Sequence, residues 1–224
     1  MILIPLVSGA QTMNDNTLQI NKSGDFDIDG KGTAREWGKT DWVSLNPLNV
    51  EAAYDTRVKI LYSESGMYFL FQNEDEKITA TIKEDNADLW HEDVVEVFLW
   101  TDEQYPMYFE YELSPLNYEL PILIPKVGED FLGWLPWHYE GDRKTRHMTH
   151  IQKDGDTVTG WIAEFFIPYD LLKPLNKVPP QAGTRWRANM YRIDHDKKPR
   201  VLFAWQPIVN SFHDHELFGT FEFK

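Results

Sequence analysis

Apolar residues recur at every second position in many short runs of this sequence, and glycine, proline, asparagine and aspartate interrupt those runs. A period of two is the spacing of one face of a β-strand, so the pattern predicts an all-β chain. The spacing of the runs favours a two-sheet antiparallel β-sandwich of the jelly-roll or immunoglobulin-like kind. Strands are expected near 57–62, 67–73, 77–83, 93–100, 107–113, 145–152, 157–166, 185–193, 200–206 and 218–223.

Turn residues between these runs predict how neighbouring strands connect. Ser65 and Gly66 separate two runs, and an Asp-Gly-Asp sequence at 154–156 separates two others, so both pairs are expected to form antiparallel hairpins. Helix is expected only as short turns, at 33–37 and at 168–172, where Pro168 supplies a fixed φ.

The length of 224 residues is typical of a single all-β domain, which we expect to span 17–224. Residues 1–16 begin with a short apolar run followed by Ser8 and Ala10. That order is typical of the end of an export signal, and a flexible arm is the alternative. We therefore expect a protein that is secreted, periplasmic or at the cell surface. No later stretch approaches the ~20 apolar residues of a membrane helix, so membrane insertion is not expected.

The negative charge of the chain argues against some classes of binding partner. A formal net charge of −14 repels the phosphates of nucleic acids and of anionic membrane surfaces. A neutral ligand rich in hydroxyl groups meets no such opposition. The absence of cysteine excludes thiolate catalysis and cysteine-based metal sites.

Two predicted strands place carboxylates among aromatic rings. On 94–100, Glu96 shares a face with Phe98, and on 107–113, Glu110 and Glu112 share a face with Tyr108. If 101–106 is a hairpin loop, these faces are continuous. Such a surface suits a sugar, whose C–H faces stack on rings and whose hydroxyl groups need hydrogen bonds. An ordinary half-exposed sheet with scattered ion pairs is the alternative.

Residues 114–142 form the least regular stretch, with four prolines and an aromatic cluster. A loop of this length is often functional, and a lid over the end of the core is the other interpretation. The aromatic residues of the cluster are Phe131, Trp134, Trp137 and Tyr139.

Two acidic stretches raise the question of a metal. Asp25, Asp27 and Asp29 suggest calcium, and a strand ending in a simple turn explains them equally. The His-Asp-His-Glu sequence at 213–216 suggests a divalent ion, with a polar loop as the alternative. We expect no cofactor and leave a structural calcium ion open.

One strand identifies a family resemblance. Trp90, Asp93 and Glu96 introduce an alternating apolar run that resembles the signature strand of carbohydrate-binding module family 9. The resemblance spans residues 27–223. Other landmarks are similar in order and spacing, at 28–30, 36–37, 61–62, 68–71, 161–164, 167–168, 186–194, 205 and 212–219.

The resemblance implies a non-catalytic domain that holds a sugar between two aromatic rings. Trp90 matches the first ring, Glu96 a carboxylate that binds hydroxyl groups, and Phe212 the second ring. The position at which the family has an amide side chain is Tyr191 or Arg192 here, and the position at which it has an arginine is Glu110. The expected ligand-binding residues are Trp90, Glu96, Glu110, Tyr191, Arg192, Asn210, Phe212 and His213.

The resemblance also implies a poly- or oligosaccharide ligand, a role in carbohydrate breakdown and a glycoside hydrolase as a neighbour. Two other functions stay open at this point. Glu96 paired with Glu110 or Glu112 could serve a glycoside hydrolase, which needs carboxyl groups ~5–5.5 Å or ~6.5–9.5 Å apart. A sandwich interaction domain with no sugar ligand is the third function.

Overall fold

The computed structural model of the protein describes residues 16–49, 54–128 and 130–224, so the predicted arm over 1–16 lies outside the described residues except for Asn16. The prediction of an all-β fold is confirmed. The strands of the described part of the chain are β1 (Thr17–Lys22), β2 (Val43–Pro47), β3 (Thr56–Tyr62), β4 (Gly66–Glu74), β5 (Val94–Trp100), β6 (Met107–Leu113), β7 (Glu119–Val127), β8 (Asp130–Phe131), β9 (Leu135–Pro136), β10 (Arg146–Asp154), β11 (Thr157–Pro168), β12 (Arg185–Asp194), β13 (Val201–Ala204) and β14 (Gly219–Phe223).

Helix is limited to short turns, as predicted. Tyr169–Leu172 is a single α-helical turn, directly after Pro168. The other segments are 3₁₀ turns, at Arg35–Lys39, Leu89–His91, Gly141–Arg143 and His215–Leu217. None of the described helices is long and apolar enough to cross a lipid bilayer.

The strands form two layers. Sheet I has the order β14-β12-β5-β6-β7. Along the same edge of β12, the first part pairs with β14 and the last part with β13, and β9 pairs with β7. Sheet II has the order β10-β11-β4-β3. Both predicted hairpins, β3-β4 and β10-β11, are antiparallel.

Two strands pass from one sheet to the other. β1 pairs in parallel with β14 through Thr17–Ile20 and then with β3 through Asn21 and Lys22. β2 pairs first with β3 and then with β13. These crossings join the two sheets along one side of the sandwich.

The core lies between the facing sides of the two sheets. Val97 and Leu99 of β5 belong to the same buried cluster as Phe69 and Phe71 of β4. Each large apolar side chain taken from water contributes about 1.5–3 kcal/mol, so this layer is the main stabilising element. Trp161, Trp186 and Trp205 belong to this core, and Trp37 is buried in a separate cluster on the outer face of sheet II.

The predicted strand at 77–83 is wrong, although its residues alternate as a strand would. Several of its backbone N–H groups donate to carboxylates, and the segment forms no strand. The Thr79 N–H donates to Asp93 Oδ2 at 2.6 Å, and the N–H groups of Thr81 and Ile82 donate to Glu92 Oε2. Side-chain acceptors therefore replace the ladder that the alternation implied.

The strand β7 falls inside the stretch that sequence showed as irregular. Leu120, Ile122 and Ile124 point to one buried face, while Leu123 belongs to the core between the sheets. Because both faces are apolar, the period of two disappears. Pro121 and Pro125 have no backbone N–H group to donate to a neighbouring strand. They are tolerated in β7 because this strand lies close to the edge of the sheet, where only the short strands β8 and β9 follow.

Candidate functional site

A cavity of about 350 Å³ opens on the face of sheet I that points away from the core. We call it the outer cavity. Its floor comes from alternate residues of β5, β6, β7 and β12, because every second side chain of a strand points to this face. Its walls come from Trp90 and from the segments 131–134 and 208–213.

Three carboxyl groups form the polar part of the floor. Glu96 of β5 lies directly across from Glu112 of β6, and Glu110 is the next residue on the same face of β6. All three side chains line the cavity although the residues are 2%, 1% and 4% exposed, respectively. The Oε2 atoms of Glu110 and Glu112 are buried, and the two carboxyl groups are close enough to share a hydrogen bond when one of them is protonated.

Burial of these groups favours their neutral forms. It raises the pKa of Glu96 well above its usual value, and the Glu110 carboxylate raises it further, while Arg200 lowers it. Burial also raises the pKa of Glu110, to about 8. The pKa of Glu112 rises through burial and through the charges of both neighbours. Like charges in a dry site cannot all ionise, so the cluster holds protons at neutral pH.

Aromatic rings form the walls around this floor. Trp90 is half-buried and meets the ring of Trp134 edge to face, with centroids 5.4 Å apart. Phe131 stacks on His213 with centroids 4.4 Å apart. Phe131 and Trp134 are 42% and 45% exposed, so both rings are available to a ligand.

The segment 208–213 is held in place by one carboxylate. Asp214 Oδ2 accepts the N–H groups of Val209 at 2.8 Å, Asn210 at 2.6 Å and Ser211 at 3.3 Å. These bonds lower the pKa of Asp214, so it is ionised at neutral pH. They fix the backbone that presents Phe212 and His213 to the cavity.

His213 is a neutral wall of the cavity. Its Nδ1 shares a hydrogen bond of 2.7 Å with the Tyr108 hydroxyl. Burial lowers the pKa of His213 to about 4. His213 therefore adds no positive charge to the site near neutral pH.

The structure brings most of the predicted site residues together. Six line the outer cavity, namely Trp90, Glu96, Glu110, Asn210, Phe212 and His213.

Tyr191 lies beneath the wall rather than in it. Its ring stacks on Phe212, with centroids 4.0 Å apart and an angle of 8° between the planes. Its hydroxyl donates to the Phe212 carbonyl at 2.9 Å. Tyr191 therefore supports a lining residue.

Arg192 does not line the cavity. It follows Tyr191 on β12 and so points to the other face of sheet I. There its Nη2 donates to Asp75 Oδ2 at 2.9 Å and to Asp194 Oδ2 at 3.0 Å. The side chain is fully buried and bridges the two sheets.

Several residues that line the cavity were not predicted from sequence to bind a ligand. Glu112 was considered only as a catalytic residue of a glycoside hydrolase. Phe131 and Trp134 were considered only as part of a functional loop or of a lid over the core. Arg200 was missed, because an exposed arginine between Pro199 and Val201 carries no signal in sequence. Trp137, from the same aromatic cluster, packs against the core instead.

The acidic residues that suggested metal sites have separate hydrogen-bond partners within the chain. Asp25 accepts the hydroxyl groups of Ser65 and Tyr68, and Asp29 accepts the Lys31 N–H and the Thr33 hydroxyl. In 213–216, His213 faces the cavity while the His215 Nε2 lies 3.0 Å from the Lys126 amino group.

Another group of carboxylates comes together elsewhere in the described residues. One oxygen each from Asp93, Asp194 and Asp196 lies within 4.8 Å of the others. Asp93 accepts the N–H groups of Thr79 and His195, and Asp194 accepts the Asp196 N–H. Hydrogen bonds within the chain thus account for this cluster.

Solved structures with the same fold include sugar-binding proteins. A candidate carbohydrate-binding protein from Bacteroides uniformis has a TM-score of 0.74 at 15% identity, covering 93% of this chain and 99% of the other. A carbohydrate-binding module of family 9 from Caldicellulosiruptor kristjanssonii in complex with glucose has a TM-score of 0.68 at 17% identity, covering 93% and 95%. Its complex with cellotriose has a TM-score of 0.65 at 17% identity, covering 92% and 94%. At these identities the likenesses show the fold.

No curated protein matches the sequence. The sequence model of one family, "Carbohydrate family 9 binding domain-like", matches residues 28–224. The resemblance stated from sequence is therefore confirmed. Because the match covers most of the chain, the protein belongs to the carbohydrate family 9 binding domain-like family.

Proposed function

We propose that the outer cavity binds a terminal sugar of an oligo- or polysaccharide, with the ring of the sugar against Trp90 and its polar groups on the carboxyl floor. Family membership makes the protein a non-catalytic sugar-binding domain, which favours binding over the glycoside hydrolase that the three glutamates also allowed. The same membership favours a sugar ligand over an interaction domain without one.

One observation carries the proposal: aromatic walls surround a buried carboxyl floor in a single cavity. Pyranose C–H faces stack on rings, and each such contact contributes about 1 kcal/mol beyond the area that it buries. Hydroxyl groups would donate to the carboxyl groups of Glu96, Glu110 and Glu112, which line the cavity. The volume is at the small end of the range for ligand pockets, which suits one or two sugar rings.

The relatives support a saccharide as the ligand class. The module from Caldicellulosiruptor kristjanssonii, which shares the fold, was solved with glucose and with cellotriose. In this chain, Phe131 and Trp134 of the cavity wall are 42% and 45% exposed, so a longer saccharide would have further ring surface to contact.

The test is binding of a panel of saccharides, followed by isothermal titration calorimetry with two tryptophan variants. Trp90→Ala should weaken binding at least tenfold, because it removes a stacking surface. Trp42→Ala is the matched control: Trp42 is also half-buried, but it packs on the outer face of sheet II beside Arg57. Equal loss of affinity in the two variants would assign the effect to stability and refute the site.

We also propose that the protein acts outside the cytoplasm in carbohydrate breakdown, beside a glycoside hydrolase. The support is the signal-like order of the first residues together with the family. Sequencing the first residues of protein recovered from the medium or periplasm of a bacterial host tests export, since processing would remove the apolar run. Recovery of the full-length chain from the cytoplasm alone would contradict it.

A further inference from the structure

The floor of the outer cavity has more acceptors than donors. Glu96, Glu110 and Glu112 are the polar side chains of the floor, and each carboxyl group has two oxygens and holds at most one proton. The walls carry further donors, among them the guanidinium group of Arg200 and the amide of Asn210. An ionised carboxylate only accepts hydrogen bonds, so a hydroxyl group uses only its donor against it.

A primary ammonium group matches the floor more closely. It has three N–H donors and no acceptor, and the floor has three carboxyl groups. Glu96 and Glu112 are direct cross-strand partners, and Glu110 lies two residues from Glu112 on the same face, so one group can approach all three.

The residues around the floor carry too little positive charge to neutralise its carboxyl groups, which favours a cationic ligand. Arg200 is the one permanent cation in the described lining of the cavity, and it is exposed. His213 is neutral near pH 7, and its Nδ1 lies 3.9 Å from Glu110 Oε2. One arginine cannot neutralise three carboxylates. An ammonium group would allow more of them to ionise, while the aromatic walls provide faces that attract cations. The net charge of −14 also draws a cationic ligand towards the protein.

We propose that the outer cavity prefers an amino sugar, with the ammonium group of the sugar on the floor formed by Glu96, Glu110 and Glu112. This inference rests on the proposed function, since it uses the same cavity and the same stacking on Trp90. The ligand class is a glycan with unsubstituted amino groups, such as a β-1,4-linked polymer of glucosamine.

Three trisaccharides test the preference. The β-1,4-linked trimers of glucosamine, N-acetylglucosamine and glucose differ only at C2, which carries an ammonium, an amide or a hydroxyl group. By calorimetry near pH 6.5 and at low salt, we expect the glucosamine trimer to bind at least tenfold more tightly than either of the others. Its binding should release protons, detected as an observed enthalpy that changes between buffers of different ionisation enthalpy. It should also weaken with added salt.

Variants assign the effect to the floor. Glu112→Gln should reduce the affinity for the glucosamine trimer at least tenfold and that for the glucose trimer by much less, because the amide keeps an acceptor but loses the charge. Glu64→Gln, on the exposed turn between β3 and β4, removes the same charge away from the cavity and should change neither. Melting curves of both variants check that they fold.

Three outcomes would overturn the inference, and they are distinguishable. If all three trimers bind equally and Trp90→Ala weakens all of them, the cavity binds sugars without reading an ammonium group, and the proposed function stands. If no trimer binds, the proposed function fails as well. Cyclohexylamine, which carries an ammonium on a ring without hydroxyl groups, should bind at least tenfold more weakly than the trimer, and equal affinity would refute the sugar part of the inference.

Discussion

The ring of Tyr191 lies parallel to that of Phe212, and its hydroxyl donates to the carbonyl of the same residue. This pair ties a wall of the outer cavity to strand β12. Asn189 Nδ2 in turn donates to the Tyr191 hydroxyl at 2.8 Å, so the polar contacts continue along the strand. The position of the wall is thus set by the sheet and not by the loop alone.

Tyr191→Phe should loosen this wall without removing the stacked ring. The loss of a buried hydrogen bond costs about 1 kcal/mol in the free energy of unfolding. We expect faster amide hydrogen exchange across 208–213 and a severalfold weaker affinity for the saccharide. Unchanged exchange in this segment would show that the hydroxyl does not anchor it.

Asp214→Ala should have a larger effect on the same wall, because three N–H groups lose their acceptor. We expect about 1–3 kcal/mol lower stability and at least tenfold weaker saccharide binding. Asp214→Asn keeps one acceptor oxygen and is the matched control, with an intermediate loss. The measurement is thermal unfolding combined with calorimetric titration. Full affinity in Asp214→Ala would mean that the wall does not depend on this carboxylate.

The stability of the protein should fall as the pH rises from about 6.5 to about 8. The pKa of Glu110 is raised from 4.5 to about 8, so the folded protein binds more protons than the unfolded chain between these values. Stability from this group is fully present below pH 4.5 and is lost as the pH rises through 8. The raised pKa of Asp93, about 7, acts in the same direction.

His213 limits this effect on the acid side. Its pKa is lowered from 6.5 to about 4, so its contribution is present above pH 6.5 and is lost as the pH falls through 4. The net decline should therefore be clearest between about pH 6.5 and 8, on the order of 2 kcal/mol. Urea unfolding at several pH values measures it, and a flat or rising profile in this window would contradict the prediction.

Glu112→Gln should stabilise the free protein near pH 8. The substitution keeps the shape of the side chain and removes one of three carboxyl groups that repel each other in a dry site. We expect a gain of about 1–2 kcal/mol at that pH and a shallower decline between pH 6.5 and 8. Glu64→Gln should change stability by less than about 0.5 kcal/mol. A destabilised Glu112→Gln variant would show that the native carboxyl group has a partner that stabilises it.

Much of the fold could be predicted from alternation because most strands bury one face against the core. The predicted runs at 57–62 and 107–113 correspond to β3 (Thr56–Tyr62) and β6 (Met107–Leu113). Alternation failed at 77–83, where the carboxylates of Glu92 and Asp93 take the backbone donors, and at β7, where both faces are apolar. The first cause lies outside the run that alternates, and the second removes the alternation itself.

The floor of the site could be predicted more fully than its walls. The faces of Glu96 and Glu110 follow from strand alternation once their strands are neighbours, and the structure confirms that pairing. The walls depend on where loops fold back over sheet I, which no period describes. Trp134 and Arg200 reach the cavity from loops that lie far from β5 in sequence.

The crossing strand β1 determines how the domain would resist a pulling force applied to its two ends. Because β1 and β14 are parallel neighbours, a force that pulls β1 towards its first residue and β14 towards its last slides the two strands along each other. All of the hydrogen bonds between Thr17–Ile20 and Thr220–Phe223 then carry the load together and do not open one after another. Tension applied through the two ends of the described chain is therefore resisted in shear, at the seam where both sheets meet.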